Sequence, residues 1–417
     1  MHSDQAKRIE LLAPAGNFEK LEMVLHYGAD AVYLAGKMFS LRNFSDNFSL
    51  DEMPSAIKLA HASNAKAYVA VNIYARNRDL QPLHEYISQL AAVGPDAVIV
   101  SDPAIVSMVR NSAPDLPIHL STQANTTNVE SVRFWRSQSV RRINAARELS
   151  LEEIKQLSTV DGMQIEAFVH GAMCISYSGR CLLSNYMAQR PSNQGMCCQP
   201  CRFRYSLVEQ TRPGQYFPIA EDDNGTYIFN SRDLCMLAHL PAMIDAGIGA
   251  LKIEGRMKGI HYAATAVKIY REAIDRFYAD PEDYAPASYW QSELDKITSR
   301  GYCTGFYLNE RQQIRPNYRR PQPPTYALAA KVLSSGNRRY AQVEVRNQIR
   351  LRDTVEILTP DGPPLKDSIA DIVTMDGRQT DVANPGDRVS VQLCNTVRRF
   401  DLLRRKGNSD VAESDTI

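Results

Sequence analysis

No run of eighteen apolar residues occurs in this 417-residue chain, so no membrane-spanning helix is expected. The opening stretch MHSDQAKRIELLAPAG lacks an apolar core of signal-peptide type, and a cytoplasmic address follows by default. Neither sign of charge is in excess: 48 Lys and Arg stand against 47 Asp and Glu. Any nucleic-acid role therefore rests on local patches. H-E-x-x-H and G-x-S-x-G are both absent, which leaves zinc-protease and serine-hydrolase chemistry without their motifs. No complete G-x-G-x-x-G follows the first strand-like run, which weakens a dinucleotide-binding sheet. Histidine is scarce, with eight in the chain. Of these, His26, His61, His84 and His239 fall on predicted helices and read as surface or packing residues.

What is present suffices for a sizeable core. The chain is 44% hydrophobic and 23% charged, which excludes a disordered polymer. Its length calls for one large domain and one small one.

Cysteine is concentrated. Five of eight lie between His170 and Arg202, at Cys174, Cys181, Cys197, Cys198 and Cys201, among Gly, Ser, Asn, Gln and Pro. That is loop composition. In a reducing compartment such a cluster points to a metal or redox centre rather than a disulfide framework. Cys174, Cys181, Cys197 and Cys201 form the preferred four-ligand set. Cys198 adjoins Cys197, and neighbouring side chains rarely suit one centre. With Cys235 it is held as a reserve ligand, while Cys303 and Cys394 are isolated and read as small buried hydrophobes. Iron–sulfur clusters and structural zinc both take four cysteines. The spacing C-x6-C, fifteen residues, C-x3-C matches neither the paired C-x2-C of zinc ribbons nor common ferredoxin runs, so zinc remains the alternative. A thiol protease would need a Cys–His pair, with His170 four residues before Cys174. A metal-ligated thiolate is not free to act as that nucleophile.

Short apolar runs alternate with helical segments up to about residue 280. Strand candidates are Ile9–Ala13, Ala31–Leu34, Ala67–Val71, Ala97–Val100, Ile118–Leu120, Arg142–Ala145, Ile165–Val169 and Ala250–Ile253. A helix over Ser231–Ala246, capped by Asn230-Ser231-Arg232-Asp233, is expected before the last of them. Eight strand–helix units predict a parallel (β/α)8 TIM-like barrel spanning 1–320. The cysteine loop (170–202) and an irregular insertion (205–229) interrupt it. Active sites of such barrels lie at the C-terminal strand ends. Those ends carry Asn17, Asn72, Asp102, Gln123, Asn125, Arg147, Glu148, His170, Glu254 and Arg256. Arg147, Glu148, His170, Glu254 and Arg256 are the catalytic candidates. Arginines there suit a carboxylate- or phosphate-bearing substrate, although an Arg–Glu network tying loops together would use the same residues.

From Pro321 the character changes to short strands with Gly- and Asp-rich turns. This predicts a small antiparallel β-barrel over 321–405 and a disordered tail over 406–417. Between Arg311 and Arg352 ten Lys/Arg face one acidic residue, Glu344, with Tyr318, Tyr326 and Tyr340 interspersed. Arg319, Arg320, Arg338 and Arg339 are the candidate RNA contacts on this stripe.

ELLAPAGNFEKLEMVLHYGADAVYL, FVHGAMCISYSGRCLLS, GMCCQPCRFRYSL, NSRDLC and LKIEGRMK together resemble the peptidase U32 family, also called collagenase-like peptidases. The resemblance covers nearly the whole chain. TGFYLN (Thr304–Asn309) and the C-terminal segment resemble its tRNA-hydroxylation branch. The resemblance implies a tRNA partner, hydroxylation of the wobble uridine to 5-hydroxyuridine, and dependence on the dicarboxylate prephenate as co-substrate. It also implies a [4Fe-4S] cluster on Cys174, Cys181, Cys197 and Cys201. A U32-type peptidase is the alternative, and a non-catalytic RNA-binding protein with structural zinc is the second. Oligomeric state is open at this level.

Overall fold

The computed structural model describes residues 8–41, 46–174, 176–202, 221–222, 225–226, 232–308, 325–336 and 340–407. Seven parallel strands follow one another in sequence: β1 (Glu10–Pro14), β2 (Ala31–Ala35), β3 (Lys66–Val71), β4 (Ala97–Val100), β5 (Ile118–Leu120), β6 (Val140–Asn144) and β7 (Gln164–Ala172). The eighth barrel strand, Ile248–Ile253, pairs in parallel with both β7 and β1 and closes the ring. Leu11, Val32, Val69 and Val98 point outward into the helix layer, and Leu12, Tyr33, Tyr68 and Ile99 point inward. This period-2 alternation lets strands buried on both faces be apolar throughout. Among the described residues no helix is long and apolar enough to cross a membrane.

The barrel floor is ionic rather than apolar. Arg142 donates to Glu10 at 2.6 Å and to Gln164 at 2.8 Å, and Lys252 donates to Glu166 at 2.9 Å. These side chains are almost wholly enclosed, so each charge persists only because it is paired.

The helix expected over Ser231–Ala246 is corrected. Asp233–Cys235 is a strand paired antiparallel to the end of β7, and helix resumes only at Leu240–Asp245. β7 runs past the barrel rim and leaves backbone groups to satisfy. Pairing there with Asp233–Cys235 outweighs the Asx cap chemistry of the sequence. Asn230 and Ser231 lie outside the described residues, as do most of 205–229, the segment 309–324, and the tail beyond Gly407. Arg319, Arg320, Arg338 and Arg339 are among them.

After Thr325 a seven-stranded antiparallel sheet curls into a half-barrel with its own apolar core, including Val332, Val343, Ile357 and Val391. Its strands include Leu365–Ser368 and Leu402–Lys406. It packs on the barrel. Tyr27 donates to the Leu358 carbonyl at 2.7 Å, and the buried Lys268 donates to the Gly362 carbonyl at 2.7 Å.

Candidate active site at the barrel mouth

The loop after β7 folds back over the C-terminal rim and encloses a cleft of about 340 Å³. Cys174, Cys181, Cys197 and Cys201 all line it, together with Gln123, Arg147, Glu254 and Lys258. None of the four is in a disulfide. Cys198 is absent from this lining. Its backbone N–H donates to Ser184 Oγ at 3.1 Å and its thiol sits 3.4 Å from the same oxygen. Cys235 lies behind β7 with its thiol 3.6 Å from Tyr270 Oη, and burial pushes its pKa up. The geometry thus separates four thiols from the two reserves. Among the described residues no three His, Cys, Asp or Glu side chains gather closely enough to hold a single metal ion. Four soft thiol donors lining one cleft are the type of donor that an iron–sulfur cluster takes.

Two glycines and one carboxylate fix this loop. Gly171, the last residue but one of β7, has φ +107°, and a Cβ there would stand 2.4 Å from the Glu254 carbonyl oxygen. Gly179 has φ +76°, and a Cβ there would stand 2.2 Å from the Gln123 carbonyl oxygen. Both positions demand glycine by conformation and by space. Glu148 accepts from Asn125 Nδ2 at 2.5 Å, from the Ser178 backbone N–H at 3.1 Å and from Ser178 Oγ at 3.0 Å. It lines neither cavity described here and acts as a clamp on the cysteine loop. Ser192 Oγ donates to the Cys181 carbonyl at 2.7 Å, and Asn193 Nδ2 to the Gly179 carbonyl at 3.0 Å.

Below the cleft, inside the barrel, is a smaller chamber of about 60 Å³. Thr122, Gln123, Arg147 and Glu254 line both spaces. Arg147 lies over the Phe168 ring, 4.1 Å from its centroid, with Nη2 3.9 Å from Glu254 Oε2. Lys252 stands over Tyr33 at 4.6 Å. Arg256, 4% exposed, donates to Asn47, and its carbonyl accepts from Lys20 Nζ at 2.6 Å. Burial and the nearby Arg256 guanidinium pull Lys20 down to about 8, against the opposing pull of Asp46.

Of the five catalytic candidates, Arg147, Glu254 and Arg256 therefore converge. His170 does not. It is buried among Tyr262, Tyr270 and Tyr302, and burial drives its pKa to about 4. Among the strand-end residues, Asn72 and Gln123 also line the chamber, while Asn17 and Asp102 cap helices. Asn144 and Lys252 were missed because they lie within strands rather than after them. Their signal is a polar residue at an inward position of a barrel strand.

Residues 16–317 match the sequence profile of peptidase family U32, and residues 324–404 match the profile of that family's C-terminal domain. The chain is 38% identical over 405 residues to tRNA hydroxylation protein P1 of Bacillus subtilis, covering 96% of this chain and 95% of that one. It is 33% identical over 409 residues to an uncharacterized protease of Methanocaldococcus jannaschii, covering 94% and 97%. It is 32% identical over 317 residues to the 23S rRNA 5-hydroxycytidine C2501 synthase of Escherichia coli, covering 73% of this chain and 46% of that one.

Proposed function

The chain belongs to peptidase family U32, and from that premise we propose that it is an RNA-modifying enzyme that hydroxylates tRNA, converting a wobble uridine to 5-hydroxyuridine. The observation that carries this reading is one cleft, at the end of the barrel where such folds do chemistry, that joins four cysteines to Arg147, Glu254 and Lys258. The names borne by the Bacillus subtilis and Escherichia coli relatives favour hydroxylation of RNA pyrimidines.

Cys174, Cys181, Cys197 and Cys201 would hold a [4Fe-4S] cluster. Such a group, when bound, supplies one-electron chemistry. The protein's own part is binding and orientation. Arg147 and Arg256 would hold the carboxylates of prephenate, and Glu254 orients Arg147. The target base has to leave its stack to enter a mouth of this kind. Two exposed tyrosines of the cysteine loop, Tyr177 at 67% and Tyr186 at 88%, offer faces on which an unstacked anticodon base can lie. From His170 to Arg202 the loop carries three arginines and no acidic residue, which suits a phosphate backbone.

The family's name and the archaeal relative's name favour a peptidase as the second reading. Against it, no histidine among the described residues lines the cleft or the chamber, so the thiols there have no imidazole partner. The deciding experiment is nucleoside mass spectrometry of total tRNA from host cells lacking this chain. 5-Hydroxyuridine should fall, returning with the wild-type protein but not with Cys174→Ser. An unchanged level, with peptide release from gelatin by the pure protein, would establish the peptidase instead.

A further inference from the structure

The chamber beneath the cysteine cleft is larger than a single water needs and much smaller than the cleft above it. Holding one water takes roughly 10–15 Å³ by this kind of measure, and drug-sized pockets start near about 300 Å³. A space of about 60 Å³ is room for a small polar group rather than a whole drug-sized molecule.

Its lining is polar in a particular way. Asn144 Oδ1, Gln123 Oε1 and Arg147 Nε are buried and have no hydrogen-bond partner among the described residues. All three residues line this one chamber, and Asn144 is only 3% exposed. Buried polar atoms are almost always paired, so three orphans around one space mark a place for a polar guest. The two amides can turn over and present N–H₂ in place of oxygen. Both then become donors alongside the Nε–H edge of Arg147.

Charge selects the guest. Arg147, Lys252, Arg256 and Glu254 line the chamber; Lys252 is already paired with Glu166 and Arg147 stands 3.9 Å from Glu254, so the cationic excess rests on the two guanidiniums. The Arg147 guanidinium is fixed by Phe168, so its fork geometry is set before anything binds. A flat group with two or three oxygens and one negative charge answers both the donors and the cations.

We infer that this chamber is a subsite for one carboxylate, bound by Arg147 with Asn144 and Gln123. The rest of the acid lies above it in the cysteine cleft, through the neck formed by Thr122, Gln123, Arg147 and Glu254. The inference builds on the mouth being the reaction site and adds the depth and orientation of the co-substrate: one end down on the barrel axis, the reacting portion under the thiols. A free oxyanion such as formate shares the same chemistry, so the test separates the two sources.

The test is calorimetric titration of the anaerobically purified full chain with formate, phenylpyruvate and prephenate. The larger acids should bind at least tenfold tighter than formate, because their remainder gains the cleft. Asn144→Leu keeps the side-chain size and removes the amide, and it should weaken the larger acids about tenfold or more. Gln123→Met, at the neck, is the second variant should the first not fold. Thermal midpoint and iron content of each variant serve as fold controls. Equal affinity of both folded variants and wild type would overturn the inference, as would formate binding as tightly as prephenate. If wild-type protein supports tRNA hydroxylation while the variants bind normally, the subsite fails and the proposed function stands. If the acid binds as described but cells lacking the chain keep their 5-hydroxyuridine, the subsite stands and the proposed function fails.

Discussion

Single residues govern whether this mouth assembles. Gly179→Ala forces a left-handed backbone onto a Cβ that would sit 2.2 Å from the Gln123 carbonyl oxygen. The conformation alone costs roughly 1–2 kcal/mol, and the overlap must displace either the cysteine loop or the end of β5. The expected outcome is a lower thermal midpoint with loss of bound iron, read by calorimetry and metal analysis. Buried histidines set the acid response. Burial lowers His170 to about 4, with Asp233 opposing and Lys258 reinforcing, and lowers His261 to about 3. Burial holds His119 well below its ordinary value too. In the unfolded chain each titrates near about 6.5. Above that pH both states are neutral and the full stability is present. As pH falls, the unfolded chain takes up protons that the folded chain refuses. Stability is therefore lost from about 6.5 downward, through about 4 for His170 and about 3 for His261, by up to roughly 1.4 kcal/mol per pH unit for each. Urea midpoints at pH 7.5 and 5.5 check this, and a flat profile would contradict it. On the surface, Tyr186→Ala should weaken tRNA binding by roughly 1–3 kcal/mol if a base stacks there, measured by filter binding at fixed salt.

At the scale of elements, the cysteine loop is where the proposed chemistry is placed. Serine at Cys174, Cys181, Cys197 or Cys201 should abolish iron retention. Serine at Cys198, whose thiol meets Ser184 outside the cleft, should leave iron content near that of wild type, as should Cys235→Ser. Equal loss from Cys198→Ser and Cys197→Ser would undo the assignment. That these four cysteines would lie in one loop at the barrel mouth was legible, because loop composition is a local property of the sequence. The barrel strands were legible for the same reason: runs such as Ala97–Val100 and Ile118–Leu120 are short, apolar and punctuated. What the sequence could not display is pairing between distant segments. Asp233–Cys235 reads locally as the start of a capped helix, yet the rim of β7 recruits it as a strand. His170 follows a strand just as Arg147 does, but β7 extends beyond the barrel and turns that side chain into the tyrosine packing. Asn144 and Lys252 became site residues only when ring closure turned inward positions toward a common chamber.

The molecule as a whole is two cores held together by a buried charge cluster. Arg404 is 0% exposed and donates to Glu293 and, at 2.9 Å, to Glu356, while Lys296 reaches the same two carboxylates. Glu293 belongs to the barrel side and Glu356 to the half-barrel, so one guanidinium bridges both. Arg404→Met would leave these carboxylates under-compensated, at a cost of about 3–5 kcal/mol. The expected sign is a split of one unfolding transition into two, seen by calorimetry. The barrel itself sets a cysteine-lined cleft over a chamber that holds Arg147 and Arg256, and the proposed role of the pair is to hydroxylate a tRNA base. The most direct test is gain of function. Wild-type chain would be expressed in a host whose tRNA lacks 5-hydroxyuridine but which makes prephenate, and the tRNA digested for nucleoside mass spectrometry. A uridine carrying one added oxygen is expected with wild type and none with Cys174→Ser or Arg147→Ala. Wild-type protein that is folded and carries iron and sulfide, yet leaves every uridine unchanged, would contradict it.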